Sequence, residues 1–169
     1  MGGNAVLLQQ QQPIKNRLGE LNTYTYVRGD PISRRDPLGL TDLIFDAQSG
    51  RLHVIDQYGN SAGNFPASNN PVAGQGQFPA GTYPFSWWNP HRGASENSSF
   101  GQHGNFIFDV PNRSGMGVHS GRANTSCSPN RCGFQYPTDG CIRTIDDATE
   151  AIKRLHTGGD RVRSISVLR

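Results

Sequence analysis

Apolar and polar positions alternate with a period of two in several short stretches after residue 40, the pattern of half-buried β-strands. Leu43-Ile44-Phe45-Asp46 reads as a strand, Ala47-Gln48-Ser49-Gly50 as a turn, and Arg51 to Asp56 as a second strand ending at a Tyr58-Gly59-Asn60 turn. Gly81 to Phe85 and Asn105 to Val110 are further strands, and Ile165 and Val167, alternating with Ser164 and Ser166, form a closing one. Residues 60–77 are rich in Ser, Asn, Gly and Pro and read mostly as loop. Residues 86–103, with Trp87 and Trp88 among small polar residues, read as a long loop whose tryptophans fit a core better than a stacking platform. Helical periodicity is confined to Ala148, Ala151, Ile152 and Leu155, which share one helical face. Thr144 with Asp147 resembles a capping box, and Gly158-Gly159 is a stop. The pattern predicts a mainly β domain with one helix after Cys141.

The chain has 169 residues, enough for one domain and an appendage. Before residue 40 the periodicity is weak and Gln9 to Gln12 is low-complexity, so the chain divides into residues 1–40 and 41–169. Twenty-one glycines and 11 prolines suit a turn-rich β protein rather than a helical bundle. The net charge of +3 comes from scattered arginines, which argues against a nucleic-acid-binding stripe and is compatible with an anionic polymer. No stretch approaches the roughly 18 apolar residues of a membrane span, so no membrane insertion is expected. Ala5-Val6-Leu7-Leu8 is too short for a signal peptide of the protein's own. Three cysteines suggest one pair, Cys127 with Cys132, and one working thiol, Cys141.

Thr138-Asp139-Gly140-Cys141-Ile142-Arg143 carries the sharpest chemical signal. A thiol before a helix N-terminus is biased towards thiolate, and a glycine beside it lets backbone N–H groups approach a substrate oxygen. Such N–H groups can form an oxyanion hole for acyl transfer. Upstream, Gly117-Val118-His119-Ser120-Gly121 sets an imidazole between small residues, 22 positions before Cys141. Histidine is the usual base for a cysteine nucleophile because its pKa lies near neutrality. His53, His91 and His156 read as structural or surface residues. Zinc on Cys127, Cys132, Cys141 and His119 would suit the ligand types, but no tight C-x2-C knuckle is present. Neither a metal nor another cofactor is expected.

Two resemblances extend this reading. Leu21-Asn22-Thr23-Tyr24-Thr25-Tyr26-Val27, Asp30-Pro31 and Asp36-Pro37-Leu38-Gly39-Leu40 resemble the end of the core of rearrangement-hotspot (Rhs) repeat proteins. That resemblance, over about residues 18–40, implies a β-shell around a C-terminal toxin and self-cleavage at a motif carried here by Asp36, Pro37, Gly39 and Leu40. A second Asp-Pro-x-Gly motif, usual about twenty residues upstream in that family, is replaced by Gln12-Pro13-Ile14-Lys15. The order His119-x-Gly121, a loop of about twenty residues, then Thr138-x-Gly140-Cys141-x-Arg143 resembles the L,D-transpeptidase catalytic domain, particularly effector toxins delivered by type VI secretion. Arg51 to Asp56, Phe65-Pro66-Ala67-Ser68 and Phe78-Pro79-Ala80-Gly81-Thr82-Tyr83 are similar to upstream parts of the same domain.

The second resemblance implies an L,D-transpeptidase-like β-sandwich acting on the peptidoglycan stem peptide in the target-cell periplasm. It would work as an L,D-carboxypeptidase, a transpeptidase or a D-amino-acid exchanger. Cys141 would be the nucleophile and His119 the base. Gly140 and Cys141 would supply oxyanion N–H groups, Arg143 a structural or carboxylate-binding cation, and Thr138, Asp139, Ser120 and Gly121 the surrounding site. Many family members have His before the Gly-Cys pair, whereas Asp139 stands here. The group orienting His119 therefore stays open among Asp139, Ser120, a backbone carbonyl and His103. A toxin of this kind would have an immunity protein and an Rhs core or secretion apparatus as partners. Two other readings are a papain-like cell-wall endopeptidase or amidase, disfavoured because His119 precedes Cys141, and a non-catalytic transpeptidase-like binding module. The cysteine spacing gives a first prediction: in an oxidising compartment Cys127 and Cys132 pair, with four residues between them. Thiol titration under denaturing, non-reducing conditions should then find one free thiol; three free thiols, or a disulfide at Cys141, would contradict it.

Overall fold

The computed structural model describes residues 40–69, 76–91, 98–122 and 133–169. Among these residues there are eight strands and one α-helix, with a short 3-10 turn at Gly133–Gln135: β1 (Leu40–Asp46), β2 (Arg51–Ile55), β3 (Ser61–Ser68), β4 (Gly81–Asn89), β5 (Asn105–Phe108), β6 (Gly117–His119), β7 (Ile142–Thr144), α1 (Asp146–Thr157) and β8 (Arg161–Leu168). One sheet runs β3-β2-β1-β8-β4 and the other β3-β7-β6-β5-β4. Because β3 and β4 take part in both, the strand order closes on itself as β1-β2-β3-β7-β6-β5-β4-β8. The expected sandwich is thus a mainly β fold joined along both sides, with one helix following Cys141.

The period-two pattern determines what lies inside. β1 buries Thr41, Leu43 and Phe45, while β2 buries Leu52 and Val54. Their paired register and the turn after Asp46 bring these side chains to one face. Asp46 accepts the Gln48 and Ser49 N–H groups, which builds the turn expected at 47–50. Phe78, Phe106, Phe108, Met116, Ile142 and Ile165 join the same core. Each of these side chains contributes about 1.5–3 kcal/mol by leaving water. Ile152, on the predicted face of α1, is fully buried with them, and Leu155 packs at the margin. The Gly158 N–H closes the helix on Arg154 O and Leu155 O. Among the described residues no helix is long and apolar enough to cross a membrane.

Three expectations need correction. Ser61–Ser68 is a strand, not loop, although it is rich in small and polar residues. It pairs with β2 along most of its length and with β7 at its end, so ladder partners override its weak intrinsic preference. Trp87 and Trp88 lie on β4 rather than in a loop. A bulge between Phe85 and Trp87 shifts the alternation, so that Phe85 and Trp88 pack at the core margin while Trp87 is 51% exposed. Trp88 stacks on Phe106 at 5.9 Å.

The start of α1 also differs from the expected capping box. The residue before the helix is Ile145, with no side-chain capping bond, and Thr144 is the last residue of β7. The Thr144 hydroxyl donates instead to Pro66 O, 2.8 Å away on β3, and is therefore occupied in tying two strands. Strand β7 stands between Cys141 and the helix. An extended residue advances about 3.3 Å and the helix field fades within its first turn, so α1 does not act on the thiol as expected.

Candidate active site

The site is assembled by a parallel pairing between two strands of three residues each. β6 and β7 run side by side with Val118 opposite Ile142 and His119 opposite Arg143. Cys141, immediately before β7, is thereby brought to the level of Gly115 to Gly117 at the start of β6. Its sulfur lies 3.4 Å from Gly115 O, and the Gly117 N–H is directed at it. Both strands are fully buried. Two motifs far apart in the chain thus meet through backbone hydrogen bonds, with little freedom to slip.

The turn that presents Cys141 is held from behind. Gly140 has φ +101°, and a Cβ there would approach Gly76 O to 2.8 Å, so this position requires glycine. Buried Asn69 donates through Nδ2 to Gly140 O at 2.7 Å and to Cys141 O at 3.1 Å. Its Oδ1 accepts the Phe78 N–H at 2.6 Å, which fixes the amide orientation. The Thr138 hydroxyl also donates to Cys141 O. In a trans peptide the C=O and N–H point in opposite directions. The pull of Asn69 on Gly140 O therefore turns the Cys141 N–H away from Asn69. Asn69 was missed in the sequence because it lies in a polar, loop-like stretch with no motif around it.

His119 is 2% exposed, and its Nδ1 lies 2.7 Å from Ser120 O. A carbonyl can only accept, so Nδ1 carries the proton of the neutral ring and Nε2 keeps a free lone pair. Among the four groups left open, the one that contacts the ring is thus a backbone carbonyl. Asp139 is exposed and influences Cys141 by its charge rather than bonding His119. His103 is placed elsewhere: its carbonyl accepts the Trp88 indole N–H at 2.8 Å, and its Nδ1 has no hydrogen-bond partner. The Ser120 hydroxyl turns away to Asp146, and Phe100 lies edge-on to the His119 ring at 5.1 Å. Gly121, with φ +101°, allows the chain to pass against Ser98 O and Ser99 O.

The charges of the site follow from burial. Desolvation lowers the His119 pKa to about 4, the Ser120 carbonyl opposes this, and the positive Arg143 adds to the lowering. Desolvation raises the Cys141 pKa, against the Gly117 N–H and Arg143, while Asp139 raises it further. At neutral pH Cys141 therefore rests as the thiol and His119 as the neutral imidazole. Arg143 is 4% exposed, and its Nε and Nη1 have no partner. Desolvation and the nearby Arg122 lower its pKa to about 10, so it stays charged at neutral pH. Arg122 also lies over the Tyr136 ring at 5.7 Å. Among the described residues no three His, Cys, Asp or Glu side chains are grouped to hold a metal. Cys127 and Cys132 fall outside the described residues, as do Asp36, Pro37 and Gly39 of the proposed self-cleavage motif; Leu40 is the first residue of β1.

No family model matches the sequence, and no curated protein matches it. Solved structures do. The Bdellovibrio bacteriovorus protein Bd1075 is similar with a TM-score of 0.56 at 18% identity, covering 81% of this chain and 50% of its own. The LD transpeptidase LdtMt1, solved with imipenem, has a TM-score of 0.50 at 20% identity, covering 77% of this chain and 59% of its own. L,D-transpeptidase 3 from Mycobacterium tuberculosis, solved with a faropenem-derived adduct, has a TM-score of 0.50 at 13% identity, covering 78% and 61%. The chain thus spans between half and about three-fifths of these neighbours. At these identities the likeness shows the fold, which is L,D-transpeptidase-like.

The buried imidazole generates a stability prediction. Its folded pKa of about 4 lies below the ordinary 6.5, so the unfolded chain takes up a proton first as pH falls. The stability of the neutral, buried form is complete above pH 6.5 and is lost as pH falls towards 4. The shift corresponds to a loss on the order of 3 kcal/mol. Unfolding free energies of wild type and His119→Gln should therefore converge over that window. Parallel pH dependences for the two proteins would contradict the assignment.

Proposed function

We propose that this domain is a cysteine acyl-transfer enzyme acting on peptidoglycan stem peptides. The observation that carries the reading is the Nδ1–Ser120 carbonyl contact on a strand paired with the one that follows Cys141. It leaves His119 Nε2 unprotonated, the state in which this reading has it serve as the base for the thiol. In the reaction, the Cys141 sulfur attacks the carbonyl of the diaminopimelate–D-Ala bond while its proton passes to Nε2. The tetrahedral oxyanion is met by backbone N–H groups, of which the oriented Cys141 N–H is the best held. Collapse breaks the C–N bond, His119 returns the proton to the leaving amine, and D-Ala departs. The thioester then passes to water, as in a carboxypeptidase, or to an amine, as in a transpeptidase. Charged Arg143, with unmatched donors beside the nucleophile, suits a carboxylate of the stem peptide.

The substrate class rests on the L,D-transpeptidase-like fold together with the His119 to Cys141 motif. The toxin context rests on the Rhs-like segment at residues 18–40, immediately before the domain. In this reading the domain is delivered by a type VI-like system, acts in the periplasm of a target cell, and is countered by an immunity protein.

Purified peptidoglycan incubated with the protein should release D-Ala or exchange it, seen by mass spectrometry of the fragments. Cys141→Ala and His119→Ala should each lower the rate about a thousandfold or more, and the double change should add little, because the two act as a unit. Substantial turnover by Cys141→Ala would refute the mechanism. Imipenem should add its mass to wild-type protein at Cys141 and not to Cys141→Ala.

Placement of the substrate outside the cytoplasmic membrane gives a cellular prediction. Expression in the bacterial cytoplasm should be tolerated, while the same domain fused to an export signal should kill, and only with Cys141 intact. Equal killing from both compartments, or by exported Cys141→Ala, would point to another target.

A further inference from the structure

Half-buried Asp146 lies in the first turn of α1, and one of its oxygens receives two elements that border the imidazole. The Ser120 hydroxyl donates to Oδ1, and the Gln102 N–H approaches the same atom at 3.4 Å. The Ser120 residue that donates this hydroxyl also supplies the carbonyl that orients His119. Gln102 is two residues from Phe100, whose ring lies against the imidazole. The fully buried Thr149 hydroxyl, one turn along the helix, lies 3.2 Å from Ser120 Oγ. Glycine at 101 is required for this closeness: a Cβ there would come within 1.9 Å of Ser120 Oγ and 2.8 Å of Asp146 Oδ1.

We propose that Asp146 is the positioning residue for His119, holding the Ser120 carbonyl and the Phe100 loop so that the imidazole keeps one tautomer and one orientation. A buried imidazole bonded at Nδ1 to its own neighbour's carbonyl has a weak anchor, since residue 120 can rotate unless its side chain is tied. The carboxylate supplies that tie and accepts from both donors, which an acceptor-only group does without the cost of an unpaired proton. Misplacement of a base by an ångström lowers rates by about a hundredfold. The effect should therefore fall on turnover, not on substrate capture. The catalytic consequence rests on the reading of His119 as base given above; the tautomer control does not.

The test uses the whole chain and two readouts. Nitrogen-15 NMR of the His119 ring at neutral pH should show a single Nδ1–H tautomer in wild type. In D146A both ring nitrogens should move towards intermediate shifts, and D146N, which keeps an acceptor oxygen, should restore the single tautomer. S120A removes the hydroxyl but not the carbonyl and should reproduce D146A, which guards against a folding defect peculiar to one variant. On peptidoglycan fragments, D146A should lower kcat by roughly 10- to 100-fold with KM within about twofold, and D146N should recover most of it. A folded D146A or S120A that keeps one Nδ1–H tautomer would overturn the proposal whatever its activity. If no variant and no wild type acts on peptidoglycan, the proposed function fails while the ring signals still decide the role of Asp146.

Discussion

The parallel ladder between Gly117–His119 and Ile142–Thr144 is short, but the geometry of the site depends on it. Each strand contributes three residues, all buried, and the register sets His119 beside Arg143 and Cys141 at the level of the Gly115–Gly117 turn. β6 is held on its other side by β5, and β7 by β3, so neither can slide without breaking a second ladder. A hydrogen-bond network then fixes the ends: Asn69 behind the thiol turn, and Ser120 with Asp146 behind the imidazole. His119 thus lies on the sheet itself and Cys141 on the residue that enters it, which places both more closely than a free loop would.

Burial has an electrostatic consequence that spacing alone did not suggest. A thiol close to a helix N-terminus would be expected to ionise readily, as in many cysteine enzymes. Here strand β7 intervenes, and desolvation outweighs the Gly117 N–H and the Arg143 charge, so the thiol pKa rises. The imidazole pKa falls for the same reason. Both groups rest neutral, so under the proposed function proton transfer is part of the attack instead of an event completed beforehand. Arg143 then has a clear physical effect, since a buried cation beside the sulfur favours the thiolate as it forms.

The parts of the fold that were legible in the sequence are those where a simple period meets a simple environment. β1, β2 and β8 alternate because one face meets the core, and α1 shows four apolar residues on one side. β3 was illegible because its composition is that of a loop; its strand form comes from neighbours on both sides. The bulge in β4 disguised Trp87 and Trp88 by breaking the alternation. At the site, Cys141 and His119 stood out because small residues flank them. Asn69, Asp146 and Thr149 act through backbone carbonyls and a hydroxyl, and nothing in their local sequence marks a partner 26 to 71 positions away.

The closed strand order has a consequence for how the domain comes into being. β8 lies between β1 and β4, pairing in parallel with the first described strand and antiparallel with one from the middle. Until β8 is synthesised, β1 and β4 each present an unsatisfied edge, and the apolar faces carrying Leu43 and Phe45 lack the Val162, Ile165 and Val167 that cover them. Contacts of such sequence separation make assembly slow and late. A nascent chain that lacks β8 therefore carries the thiol and the imidazole before the frame around them has closed, and the strand order is completed only when the first and last described strands meet.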